Sequence, residues 1–439
     1  MSSAEHPVRS TLNFEAVAAK YPKFPRLILL KIDMHRRGVH YTEEALKLFD
    51  PRVHQVVGTH IFGTRDGDFK LRPEALLLRD GTSVITTPTP LDADPYIVDA
   101  ENNGLVIKDH GEILDEAFYW EKPVYYDKLT SKGTLMQNVA SARPQRIYVA
   151  ANRYCHFWTR REGCRFCDIV NNVKQQSAEL KMPVKVDLED LSETVAEAVK
   201  EPGRHTAVFL TAGSDFHGDK AFDAEIDFYI DVLKAIGKHF TSSKIPCQIA
   251  LSAVSREQLR RLYDNTCVTS VTMNIEVLNE RLFGIVCPGK ARWVGYAEWK
   301  KRLIEAVEVV GPGLVNTGIV AGVELVRPFG FRSEEEALEA VLSEAEELAG
   351  QGVSTVNMVW QPRPGSIFGK EKNASLEYYA RLAWELQQIR IRHKIEIDFD
   401  DYRRCGNHPD SDLARVFAPP AKFSQIGPNT APDALSRPA

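Results

Sequence analysis

Residues 146–167 read RIYVAANRYCHFWTRREGCRFC, an apolar run that passes directly into a polar, aromatic loop carrying three cysteines. Arg146–Ala151 has the short length and the β-branched and aromatic content of a strand. The same rhythm repeats downstream, with candidate strands at Ala207–Thr211, Cys247–Ser252, Val268–Ile275, Val315–Val323 and Val353–Trp360. Between them lie helical patterns, with Leu188, Leu191, Val195 and Val199 in one and Ile226, Tyr229, Ile230, Leu233 and Ile236 in another. Two helix starts carry capping boxes, Ser255 with Gln258 and Ser333 with Glu336. Strand–helix units in succession predict parallel strands with helical crossovers, an α/β fold. Periodicity alone leaves open whether they curl into part of a barrel or form an open doubly wound sheet.

Upstream, residues 1–144 have a different texture. Short runs at Ala75–Leu78, Ser83–Thr87 and Leu105–Lys108 are punctuated by Asp80-Gly81 and His110-Gly111, which are hairpin signals. This stretch reads as an N-terminal α+β accessory domain. Residues 145–400 read as the main α/β domain and 401–439 as a C-terminal extension, rich in Pro, Ala, Ser and Asn from about Pro419 and expected to be a disordered tail. The chain has 439 residues, 44% of them hydrophobic and 26% charged, as in a globular protein of more than one folded unit. A net charge of -5 without a dense basic block gives no support to a nucleic-acid or anionic-membrane partner. The polar N-terminus lacks the apolar core of a signal peptide, and no apolar run is long enough for a membrane span. Seven cysteines, an odd number, make no disulfide scaffold in a chain of this length. The expectation is a cytoplasmic protein whose thiols are free to bind metal.

Cys155, Cys164 and Cys167 sit on a loop at the C-terminal end of a strand, where parallel α/β folds bind ligands. Three thiolates there suit a soft metal centre. A [4Fe–4S] cluster commonly takes four cysteines, so three local ones would leave one iron open to an external ligand. Zinc is the alternative, with His156 as a fourth ligand beside Cys155, although adjacent residues do not easily ligate one ion. Of the other cysteines, Cys247 and Cys267 fall at strand starts, away from the loop, and read as buried structural residues. Cys287, in Cys287-Pro288-Gly289-Lys290, could approach the site, and Cys405 with His408 lies in a polar segment.

The loop resembles that of the radical S-adenosylmethionine (radical SAM) superfamily, in which an aromatic precedes the third cysteine, as Phe166 does in Cys164-Arg165-Phe166-Cys167. Eight residues separate Cys155 from Cys164, a lengthened spacing. Later strand ends are similar to the family's cofactor-binding segments in the family's order. Leu210-Thr211-Ala212-Gly213-Ser214-Asp215 looks like the small-residue segment that receives the cofactor's amino group. Asn274 and Glu276 in Thr272-Met273-Asn274-Ile275-Glu276 resemble the polar pair that binds its ribose or methionine part, and their alternation with Met273 and Ile275 puts them on one face. Gly318 and Gly322, followed one residue early by Glu324, are similar to the glycines flanking adenine. The resemblance spans about residues 145–370. It implies a partial (β/α)6 TIM-like barrel and a [4Fe–4S] cluster on Cys155, Cys164 and Cys167. It further implies S-adenosyl-L-methionine held by Phe166, Ala212, Gly213, Ser214, Asp215, Asn274, Glu276, Gly318 and Gly322. The implied activity is reductive cleavage of that cofactor to a 5′-deoxyadenosyl radical, which takes hydrogen from a small-molecule substrate. An electron donor such as flavodoxin or ferredoxin is the implied partner. The competing readings are a non-catalytic iron–sulfur sensor or scaffold and a zinc-stabilised structural protein.

Overall fold

The computed structural model describes residues 7–56, 72–143, 145–180, 182–395 and 406–417. Among the described residues, six strands precede residue 120: β1 (Val39–Tyr41), β2 (Ala75–Leu78), β3 (Ser83–Ile85), β4 (Tyr96–Glu101), β5 (Gly104–Asp109) and β6 (Glu112–Tyr119). Seven follow: β7 (Ser141–Ala142), β8 (Arg146–Asn152), β9 (Ala207–Ala212), β10 (Cys247–Ala250), β11 (Ser270–Thr272), β12 (Val315–Ala321) and β13 (Val353–Val359).

The second group forms one sheet in the order β13-β12-β11-β10-β9-β8-β7, with β8 to β13 parallel and β7 antiparallel at the edge. Strands buried on both faces must be apolar almost throughout, and this is why these runs were readable as strands. Ile147, Val149 and Ala151 of β8 have no exposed surface and pack under the crossover helices, while Tyr148 turns to the other face. The helix Leu188–Ala198 buries Leu191 and Val195, and Asp223–Gly237 buries Ile226, Tyr229, Leu233 and Ile236, matching the expected apolar faces. Ser255 and Gln258 form the full capping box. Ser333 accepts from the Glu336 amide, but the Glu336 carboxylate turns to the Arg332 amide, so that box is half made. Among the described residues no ladder joins β13 to β7. The sheet is therefore a curled, open half-barrel, and the alternative of a doubly wound sheet, with strands added to both sides of the first, does not fit its sequential order.

Two expected strands are shorter than their apolar runs. Val268–Ile275 keeps its ladder only over Ser270–Thr272, because Glu276 takes a left-handed φ of 70° that turns the chain inward. Val315–Val323 stops at Ala321, where Gly322 has φ 101°.

The first six strands form a mixed sheet, β1-β4-β5-β6-β2-β3. The β2–β3 and β5–β6 pairs are antiparallel and flank Asp80-Gly81 and His110-Gly111, as their turn chemistry requires. The helix Arg26–Arg37 packs against β13 and against the helices Leu376–His393 and Pro409–Phe417. Two fully buried charge pairs tie these parts: Lys31 with Asp412 at 2.5 Å, and Arg390 with Asp410 at 3.0 Å. Asp410 also accepts from the amide and the side chain of Asn357 on β13. The hydrophobic core is continuous from Phe14 to Leu413. Cys405 and the expected disordered tail lie outside the described residues, as does most of the expected C-terminal extension apart from 406–417.

Candidate active site

A cavity of about 410 Å³ lies inside the half-barrel, and Cys155, Cys164 and Cys167 all line it. Each is half-buried. The loop that bears them is held from three sides. The His156 amide donates to the Ser214 carbonyl beyond β9, at 2.8 Å, and the Arg165 amide to Val286, also at 2.8 Å. The Gly289 amide donates to Glu162 at 2.9 Å. Two glycines make this contact possible. A Cβ on Gly289 would fall 2.6 Å from the Phe157 ring, and one on Gly213 would fall 2.6 Å from the Cys155 Cα while overlapping the Tyr154 carbonyl. Backbone cannot yield as a flexible side chain can. Gly213→Ala is therefore expected to displace the loop: the protein still folds, judged by its far-ultraviolet spectrum, but binds less than half the iron of the wild type on reconstitution. Normal iron content in that variant would contradict the cradle.

The sulfur chemistry separates the metal readings. Burial pushes the Cys155 thiol up to about 11 and moves Cys167 up further, so each resists ionisation unless a metal takes the thiolate. Cys164 is held below the usual cysteine range by a hydrogen bond from Cys287, with the Lys290 charge assisting. Zinc binds sulfur at about 2.3 Å, so its ligand sulfurs lie within about 4.6 Å of each other. Among the described residues the metal-competent group this tight, within 4.8 Å, is His156, Asp215 and His217, not the cysteines. His156 is outside the cavity lining that the three cysteines share, and it groups instead with Asp215 and His217.

No family model matches the sequence. The bacteriochlorophyllide c C-7(1)-hydroxylase of Chlorobaculum limnaeum is 21% identical over 296 residues, covering 65% of this chain and 68% of that protein. Among solved structures, a radical SAM methyltransferase from Sphaerobacter thermophilus is 14% identical, with a TM-score of 0.40 over 71% of this chain and 79% of its own. Methylornithine synthase is also 14% identical, with a TM-score of 0.37 over 55% of this chain; the match spans 62% of that protein. Three cysteines of the radical SAM type converge here on the cavity of a parallel half-barrel.

Of the cofactor contacts expected for a radical SAM site, Phe166, Ala212, Gly213, Ser214, Asn274, Glu276 and Gly318 do line the cavity. Asn274 Oδ1 accepts from the Gly318 amide at 2.9 Å and from Thr272 at 2.7 Å. Glu276 meets Lys290 Nζ at 2.7 Å, and Lys290 also donates to the Asn274 carbonyl at 2.5 Å. Burial opposes the Lys290 charge, but Glu276 and the Cys164 and Cys287 sulfurs outweigh it and raise its pKa. Two of the expected residues fall outside the cavity lining. Asp215 does not line the cavity: its carboxylate is 2.6 Å from His217 Nδ1 and 3.5 Å from His156 Nε2. Burial would raise its pKa, but the bonds from the His217 side chain and amide prevail and lower it. Gly322 does not line the cavity either, because its left-handed turn carries the chain behind β12. There Glu324 accepts from the Gly322 amide and bonds the Tyr378 hydroxyl, fully buried.

Several site residues escaped the sequence reading. Glu225 accepts from the Asp215 amide at 2.9 Å and from the Ser252 amide at 2.7 Å, clamping the ends of β9 and β10 together. Burial pushes its carboxyl up to about 7, against those donors. Its folded value lies above the ordinary 4.5, so its contribution to stability is complete below that pH and is lost as pH rises through about 7. Glu225→Gln is expected to remove a fall of roughly 1–3 kcal/mol between about pH 5 and pH 8. Denaturation midpoints that fall in parallel for both proteins would contradict this. Cys287 is fully buried behind Cys164 and does not line the cavity. Cys247 and Cys267 are buried at the opposite strand ends, as expected. The N-terminal part, in which the sequence named no chemistry, sends His35, Thr86 and Thr87 to the cavity wall, and 406–408 adds His408. Thr87 Oγ1 and Arg363 Nη2 both donate to Gln361 Oε1 at 2.9 Å, which links that part to the end of β13. Among the described residues no helix is long and apolar enough to cross a membrane.

Proposed function

We propose that Cys155, Cys164 and Cys167 hold a [4Fe–4S] cluster, and that the enzyme uses it to take a hydrogen atom from a small-molecule substrate in the half-barrel cavity. The observation that carries this reading is the convergence of three thiols, the only ones among the described residues to line it, on one cavity whose wall also holds Phe166, Gly213, Asn274, Glu276 and Gly318. When bound, the cluster and S-adenosylmethionine supply a 5′-deoxyadenosyl radical. The chain's own part is binding and shelter. Gly213 and Ser214 offer backbone to an amino group, and the missing side chain at Gly213 lets the cysteine loop lie close beside them. Asn274 and Glu276 offer oxygens to hydroxyl or amino groups, and Lys290 holds Glu276 in place. Phe166, Phe157 and Trp299 give the cavity an apolar face that excludes water. A one-electron donor such as a flavodoxin or ferredoxin completes the reaction.

The test is anaerobic reconstitution followed by reduction with dithionite in the presence of S-adenosylmethionine. About four irons and four sulfides per chain, with formation of 5′-deoxyadenosine and methionine, are expected. A colourless protein saturated with zinc would overturn the reading. A loaded cluster that leaves S-adenosylmethionine intact would favour the scaffold instead.

A further inference from the structure

We propose that the substrate carries an anionic group, a carboxylate or a phosphate, and that Arg143 with Arg146 receives it at the end of the cavity away from the cysteines. This deepens the function proposed above and rests on it. Arg146 begins β8 and the cysteine loop follows its end, a separation of about 20 Å along an extended strand. Both arginines line the cavity that the cysteines line.

Arg143 is 4% exposed. Its Nη2 donates to Glu74 Oε1 at 2.6 Å, but its Nε and Nη1 are buried with no hydrogen-bond partner. Buried guanidinium donors without acceptors are costly, and native proteins rarely leave them so unless something else supplies the oxygen. The pair with Glu74 accounts for one nitrogen and leaves two. The arginines are also held in place. The Arg143 guanidinium lies 5.1 Å from the Tyr148 ring, Tyr148 stacks on Phe209 at 5.5 Å, and the Arg146 guanidinium lies 4.9 Å from Phe209. Such stacking fixes the guanidinium planes in advance, the arrangement that suits recognition of planar or tetrahedral oxyanions.

The charge around the cavity has the matching sign. Its described lining holds Arg143, Arg146, Arg363 and Lys290, against the single carboxylate of Glu276, which Lys290 already engages. A low-dielectric cleft lined by one sign of charge concentrates the opposite ion. The substrate would thus be anchored by its charged end, leaving the remainder to extend along β8 toward the cysteine loop.

The experiment titrates the reconstituted, S-adenosylmethionine-bound enzyme calorimetrically with benzoate, phenyl phosphate and the neutral benzamide. At least one anion is expected to bind about tenfold or more tightly than benzamide, and which one does so separates carboxylate from phosphate. Arg143→Gln is expected to lose that preference, Arg143→Lys to keep most of it, and Glu74→Gln, which removes the competing carboxylate, to bind the anion several-fold more tightly. Equal binding of anion and amide, or an anion affinity unchanged in Arg143→Gln, would overturn the proposal. The same wild-type preparation is assayed for 5′-deoxyadenosine. Cofactor cleavage without anion preference defeats the anion site alone, whereas no cleavage defeats the underlying reading.

Discussion

Cys155→Ala protein, reconstituted without oxygen, is expected to retain almost no iron and to form no measurable 5′-deoxyadenosine. Loss of a partner outside the ligand shell typically costs about 10–100-fold in metal affinity, so loss of a ligand should cost more than about 100-fold. Cys164→Ala and Cys167→Ala should behave alike. The informative contrast is Cys287→Ala. Cys287 donates to the Cys164 sulfur from behind and is outside the cavity lining. It acts as a supporting hydrogen-bond donor, so its removal should weaken the cluster within that 10–100-fold range while cleavage persists. Iron content and absorbance near the charge-transfer bands check both. If Cys287→Ala lost the cluster as completely as Cys155→Ala, four cysteines would close the centre and no iron would remain open to a cofactor.

Lys31→Met is expected to destabilise the protein by about 3–5 kcal/mol, because it takes the near partner from the fully buried Asp412 carboxylate and leaves only Arg415, at 3.7 Å. Asp412→Leu should also be costly, since it takes a charged partner at 2.5 Å from the buried Lys31 ammonium. Combined, the two substitutions should recover most of the loss, since an apolar pair of similar volume carries no desolvation penalty. Denaturant midpoints of the three variants check this; a double variant as unstable as the worse single one would show that packing, not charge, governs the contact. The effect should reach the site. Lys31 shares a helix with His35, and Asp412 follows His408 on the next turn of chain, and both histidines line the cavity. Burial lowers the pKa of these histidines, to about 3 for His35 and about 4 for His408, so both stand neutral in the wall at physiological pH.

The half-barrel strands were legible because strands buried on both faces must be apolar in continuous short runs, whatever their neighbours. The cysteine loop was legible because ligands gathered within one loop carry their spacing in the sequence itself. Asn274 and Glu276 were legible as a pair because they alternate with Met273 and Ile275. The expected residues that fall outside the cavity lining share a cause. Asp215 and Gly322 were placed by extending strand ends, but past those ends the backbone turns freely, and a left-handed residue at Gly322 and a local bond from His217 to Asp215 decided the direction. Glu225 and Lys290 gave no signal because each lies in an ordinary helical pattern, and only packing reveals what it faces.

By its order of residues alone, the chain determined which runs are strands, that they are parallel, and which thiols share a loop, because these follow from local periodicity and spacing. The tertiary structure decided which distant groups meet. It set Arg143 against Glu74, Cys287 behind Cys164, and the N-terminal helix and the 406–417 segment beside the half-barrel. Those contacts depend on burial and charge compensation between segments 69 to 381 residues apart, and no local pattern encodes that pairing.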